Sequence, residues 1–118
     1  MDEEGDRYMV EKRGDENIVQ MKPGIRRQQL VRGERTHMLR FFLEKGADLP
    51  VHTHQQEQTG YLLSGAMIME VEGTRHRLQP GDSWSLPGNL PHGVEVLEDT
   101  EVLEVFSPPR HDYLEKGG

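Results

Sequence analysis

The stretch PVHTHQQEQTGYLLSG, residues 50–65, decides the reading of this chain. It is strand-like, yet it carries two histidines one residue apart and a glutamine-rich patch before an apolar run closed by glycine. Alternate residues of a strand face the same side, so His52 and His54 project together, in an arrangement that suits chelation of one metal ion. The bland reading is a pair of surface histidines on a polar loop. Gln58 shares their parity, although a turn around Gln55 and Gln56 can break the register. A further candidate lies in PGDSWSLPGNLPHG, residues 80–93, where Pro87, Gly88 and Pro91 hold His92 in a rigid turn at a strand start. Three histidines and one glutamine thus offer a metal site.

Outward from this segment, GIRRQQLV, THMLRFFLE, GYLLSG, AMIMEVEGTRHRL, SWSLP, HGVEVL and EVLEVF are short runs separated by Gly, Pro, Asp or Asn. Runs this short, with turn residues between them, predict an all-β sandwich or barrel. VEGT, residues 71–74, reads as a hairpin turn. No stretch keeps a helical apolar period for three turns, so helices should be few and short. In SPPRHDYLEKGG, Pro108 and Pro109 lack the amide donor that a central strand needs. The end should therefore leave the sheet as an extended segment lying over its surface.

The chain has 118 residues, 33% hydrophobic and 30% charged, with the apolar content concentrated between Leu39 and Phe106. That predicts one folded domain, expected over residues 18–118, behind a flexible polar arm at residues 1–17. The absence of cysteine excludes disulfides and thiol nucleophiles. With no apolar leader and no apolar run of membrane-spanning length, the expected location is cytoplasmic. Against 14 basic residues stand 21 acidic ones, a net charge of −7, which makes nucleic acid and anionic membrane poor partners. A small anionic ligand can still be received by a local cationic site.

The joint pattern Gly46, His52, His54, Gln58, Gly65, followed by Gly81, Pro87 and His92, resembles the two signature motifs of the cupin superfamily. The resemblance runs from about residue 25 to residue 114 and implies a double-stranded β-helix, or jelly-roll barrel, with a metal in its mouth. It also implies a homodimer formed through edge strands. Two departures stand out: the usual motif has glutamate where this chain has Gln58, and the asparagine often found four residues after the last histidine is Val96. Glu57 is an alternative ligand of opposite parity. A shell of three imidazoles and an amide leaves the divalent charge uncompensated, which favours an anionic ligand. Ni, Mn, Fe, Co and Zn are all compatible with these donors.

The segments HTHQQEQTGYLLSG, LPGNLPHG and LEVFSPPRHDYL together resemble the small KdgF-type cupins of pectin and alginate breakdown, which linearise 4,5-unsaturated uronates. That resemblance implies catalytic roles for Glu104, Phe106 and Arg110, with Glu104 standing where relatives carry aspartate. The residues add their own argument. Glu104 interrupts the apolar run VLEVF, and Phe106 shares its face by parity. Near a cation the Glu104 carboxylate should be ionised and placed as a general base. Arg110 offers a planar fork to a substrate carboxylate, its plain alternative being an exposed pair with Asp112.

Other residues draw simpler expectations. His76 and His111 fall outside the motif spacing, and His76 should be exposed; His37 begins a strand whose face is undetermined. Trp84 and Tyr61 are expected in the barrel interior, and Met67 and Met69 in the core. Arg26, Arg27 and Arg40 are candidates for positive potential near the mouth. Two other functions compete with ring opening: a dioxygenase of the flavonol or diketone type, which would consume oxygen, and a non-catalytic module that binds a sugar acid or a metal.

Overall fold

In the computed structural model the described residues are 7–113; residues 1–6 of the expected arm and 114–118 of the expected domain lie outside them. Ten strands follow in order: β1 (Ile18–Lys22), β2 (Ile25–Arg32), β3 (His37–Leu43), β4 (Asp48–His52), β5 (Glu57–Ser64), β6 (Met67–Val71), β7 (Thr74–Leu78), β8 (Ser83–Leu86), β9 (His92–Val96) and β10 (Thr100–Ser107). They form two antiparallel sheets, ordered β1-β2-β3-β10-β5-β8 and β4-β9-β6-β7. From β3 onward the chain crosses between the sheets at every connection except the β6–β7 hairpin, which is the double-stranded β-helix, a jelly roll.

The alternation of side chains decides which residues meet inside. In β10 the burial pattern has period two, with Thr100, Val102, Glu104 and Phe106 facing in. Across the sandwich Ile25, Leu43, Leu62, Met67, Met69, Leu86, Val96 and Val102 form one buried cluster. Removing each such side chain from water contributes roughly 1.5–3 kcal/mol. β6 and β7 are joined through Glu72 and Gly73 at φ 50° and 84°, the tight turn expected at VEGT. Gly65 stands at φ 97°, and a Cβ there would strike the Asp99 carbonyl.

Two expectations are corrected. Tyr61 lies outside the barrel, 46% exposed, because β5 alternates and Leu62 takes the inward position. The described part of the segment after β10, residues 108–113, is not an extended strand continuing over the sheet. Pro108 and Pro109 terminate β10, Pro109 is buried, and residues 111–113 make a helical turn in which Tyr113 N donates to Arg110 O over 3.0 Å. This turn folds back across the barrel mouth.

Candidate metal centre

β4 and β9 pair so that His52 stands directly opposite His92. His54 follows β4 in a loop held against the 87–91 turn, where Asn89 N donates to His54 O over 2.7 Å. The sequence Pro87-Gly88 permits this approach, since a Cβ on Gly88 would meet the Gln55 carbonyl. The three rings converge, with centroids 4.6 Å apart for His52 and His92, 5.0 Å for His54 and His92, and 5.8 Å for His52 and His54. One ligand atom from each lies within 4.8 Å of the others.

The hydrogen bonds orient these rings for a cation. Nδ1 of His52 lies 2.9 Å from Pro50 O, Nδ1 of His54 3.0 Å from Gln56 O, and Nδ1 of His92 2.8 Å from Leu90 O. A carbonyl only accepts, so in each neutral ring Nδ1 bears the proton and Nε2 keeps the lone pair. Burial holds His54 and His92 below the usual imidazole pKa, with Arg110 lowering both further. Nε2 of His54 faces Gln58 Oε1 at 2.8 Å, so two acceptors point at one another. A cation shared between them resolves that conflict, and the donor set therefore fits a divalent metal ion.

Gln58 is buried and Glu57 exposed, so the strand turns the amide and not the neighbouring carboxylate toward the imidazoles. The Gln58 side chain also acts on Glu104, lowering its pKa against the effect of burial. With its oxygen toward His54, the amide nitrogen is the donor left for that carboxylate. A glutamate at position 58 would have no hydrogen to give and would set a second acid beside Glu104.

Glu104, Phe106 and Arg110 reach the same cavity as the histidines, a space of about 70 Å³ floored by Met67, Met69, Leu49 and Val94. Phe106 packs edge-on against His54, ring centroids 5.6 Å apart. Glu104 is 7% exposed and accepts from Trp84 Nε1 over 3.1 Å. The expected ionised carboxylate is that of the group beside a cation; without one, enclosure works against it. Burial pushes the Glu104 carboxyl up to about 8, against the opposing bonds from Gln58 and Trp84. The neutral acid therefore dominates at pH 7 until a nearby cation draws the group back toward ionisation.

Arg110 is both a cavity residue and the partner of Asp112. Its Nε and Nη2 donate to the two Asp112 oxygens over 3.1 and 2.8 Å. Its guanidinium carbon lies 4.1 Å from the Tyr113 ring centroid and 4.9 Å from that of Phe106. Asp112 and the two rings thus hold the guanidinium in place at the cavity.

Of the residues set aside by sequence, His76 is exposed, and Met67 and Met69 are buried on one face. Arg26 and Arg40 lie over Phe42 on the outer face of the six-stranded sheet, with Arg40 paired to Glu101 at 2.8 Å. Arg27 is buried, its guanidinium 4.4 Å from the Tyr113 ring centroid. His37 is fully buried and contacts the Arg110 backbone. Tyr113 was not singled out by sequence, although its place one turn after Arg110 is the signal that could have found it.

Residues 39–107 match the family described as cupin domain. The chain is 33% identical over 93 residues to the pectin degradation protein KdgF of Dickeya dadantii, spanning 77% of this chain and 84% of that one. The solved structure of KdgF from Halomonas sp. superposes with a TM-score of 0.78 at 34% identity, covering 80% of this chain and 88% of that one. An RmlC-like cupin from Shewanella frigidimarina superposes equally well, TM-score 0.78 at 29% identity, covering 81% and 86%.

Proposed function

The chain belongs to the cupin family, with KdgF-like relatives, and from that premise we propose that it opens the ring of 4,5-unsaturated uronates to give open-chain 5-keto uronates. The reaction would serve pectin- and alginate-type sugar catabolism. The observation that carries this reading is the convergence of Glu104, Phe106 and Arg110 on the cavity that bears the three imidazoles. His52, His54 and His92, with Gln58 as fourth donor, would hold a divalent transition metal, whose Lewis acidity supplies stabilisation for negative charge developing on oxygen.

The chain's own residues supply the rest. Arg110 receives the substrate carboxylate. Phe106 and Tyr113 keep water from the reacting atoms. The Glu104 carboxylate takes the anomeric hydroxyl proton as the bond between C1 and the ring oxygen breaks. C1 becomes an aldehyde and the ring oxygen, already bonded to the C4=C5 unit, becomes the enol oxygen. Return of a proton to C4 yields the ketone at C5, with no net redox change and no organic cofactor.

We read the protein as a cytoplasmic homodimer whose domain starts at residue 18. Tyr61 and Leu63, 46% and 39% exposed on the outer face of the six-stranded sheet, supply apolar surface for a second copy. Among the described residues no helix is long and apolar enough to cross a membrane.

The test is to incubate the protein with freshly generated 4,5-unsaturated galacturonate and follow the ultraviolet absorbance of the C4=C5 bond. Rapid loss that stops on chelation and returns with added metal supports ring opening. Loss no faster than the spontaneous background, for this uronate and its mannuronate- and guluronate-derived counterparts, overturns it. Oxygen uptake would then point to a dioxygenase, and tight uronate binding without turnover to a binding module.

A further inference from the structure

We propose that Trp84 is a positioning residue for Glu104, and that residue 60 is glycine so that the two can meet. The proposal deepens the ring-opening reading and rests on it for the role of Glu104.

Trp84 in β8, Gly60 in β5 and Glu104 in β10 occupy one cross-strand row. The outer two strands of such a row are roughly 10 Å apart, a gap that short side chains do not span. The indole and the glutamate bridge it over Gly60, and Trp84 Nε1 reaches Glu104 Oε1 at 3.1 Å. A Cβ on Gly60 would collide with both Glu104 Oε1 and the indole ring. Glycine in a strand interior gives up side-chain packing and costs backbone entropy, so its presence between these two residues calls for such a reason.

The chemistry of the donor matters. An indole N–H donates and never accepts, so Trp84 fixes the direction of Glu104 Oε1 without competing for the proton that Glu104 moves. Its ring packs against the apolar core, which anchors the donor on a rigid strand. The extra methylene of glutamate over aspartate lets the carboxylate extend far enough across the row to reach the indole while remaining at the cavity. A longer acid on a flexible stem needs such a fixed point, since small misplacements of a reacting group cost large factors in rate.

Trp84→Phe keeps the aromatic packing and removes the N–H. It should lower kcat on the order of 10- to 100-fold, leaving KM within about two-fold and metal stoichiometry unchanged. In a Glu104→Gln background the same change should add no further loss. Trp84 is the only tryptophan, so a nitrogen-15 spectrum of the metal-free protein carries one indole N–H signal. That proton should be shifted downfield and slow to exchange, and Glu104→Ala should move it upfield and speed its exchange. Glu104→Gln, which retains an acceptor, should leave it nearly in place and serves as the folding control. An unchanged kcat in Trp84→Phe, losses that add in the double variant, or an indole signal indifferent to Glu104→Ala would each overturn the proposal. A wild type inert toward every uronate removes the catalytic role of this pair together with the ring-opening reading, while the indole signal still decides whether the contact exists.

Discussion

The backbone N–H of Arg110 donates to Nδ1 of His37 over 3.2 Å, tying the segment after β10 to the first residue of β3. Nε2 of the same ring meets Gln29 Oε1 at 3.1 Å, so the neutral tautomer protonated on Nε2 satisfies both partners. Burial lowers the His37 pKa to about 4, helped by Arg32, Arg110 and Arg27 and opposed by Asp112. Because the folded value lies below the ordinary one of about 6.5, this stabilisation is complete above pH 6.5 and is lost as pH falls toward 4. The slope it contributes is at most about 1.4 kcal/mol per pH unit. Urea unfolding of metal-free protein between pH 7 and pH 4.5 should show a steeper decline for the wild type than for His37→Gln. Parallel curves would remove His37 as the source.

Replacing Glu104 by Gln keeps the shape and the bond from Trp84 but ends proton transfer. Turnover should fall by at least about 100-fold, while metal content measured by elemental analysis stays the same. Turnover at the wild-type rate would take Glu104 out of the mechanism.

Gln58→Glu separates the two tasks assigned to that side chain. The carboxylate should hold the metal at least as tightly, yet kcat should drop about 10-fold or more, because Glu104 loses a donor and gains a repelling neighbour. Metal titration and steady-state kinetics on one preparation make the comparison. A variant as fast as wild type would show that the amide N–H has no catalytic part.

Arg110→Lys retains charge and loses the planar fork. We expect KM to rise about 10-fold or more with a smaller change in kcat, since a point charge replaces a two-pronged contact to the substrate carboxylate. An unchanged KM would point to a different carboxylate receptor.

Metal should also stabilise the fold. Added ion at 100 times its Kd raises stability by about 2.7 kcal/mol if it binds only the folded chain. The melting temperature should rise with metal, fall with chelator, and lose its metal response in His92→Ala. A response that survives this substitution would place the ion elsewhere.

Much of this architecture was legible because it follows from short periods and local turns. The alternation in Thr100–Ser107 put Glu104 beside Phe106, and the paired prolines around Asn89 put His92 at a strand start. What escaped the sequence depends on distant partners. Tyr61 looked like an interior aromatic, but only the inward register of Leu62 decides its face. Arg27 and Tyr113 meet across 86 positions of sequence, with Arg27 Nη2 donating to Tyr113 O at 3.3 Å, and nothing local announces that contact. The upward push on the Glu104 pKa in the absence of a cation arises from its enclosure by residues of β5 and β8, which no window around position 104 contains.

His52 and His92 belong to the four-stranded sheet, whereas Glu104, Phe106 and Gln58 belong to the six-stranded one. On the proposed reading, the spacing between an ion on His52 and His92 and the Glu104 carboxyl depends on how far apart the two sheets sit, with Met67 and Met69 among the side chains between them. Interior packing acts here as a focusing screw. A methionine exchanged for a bulkier or slimmer residue would retune the chemistry from a distance without touching any group that performs it.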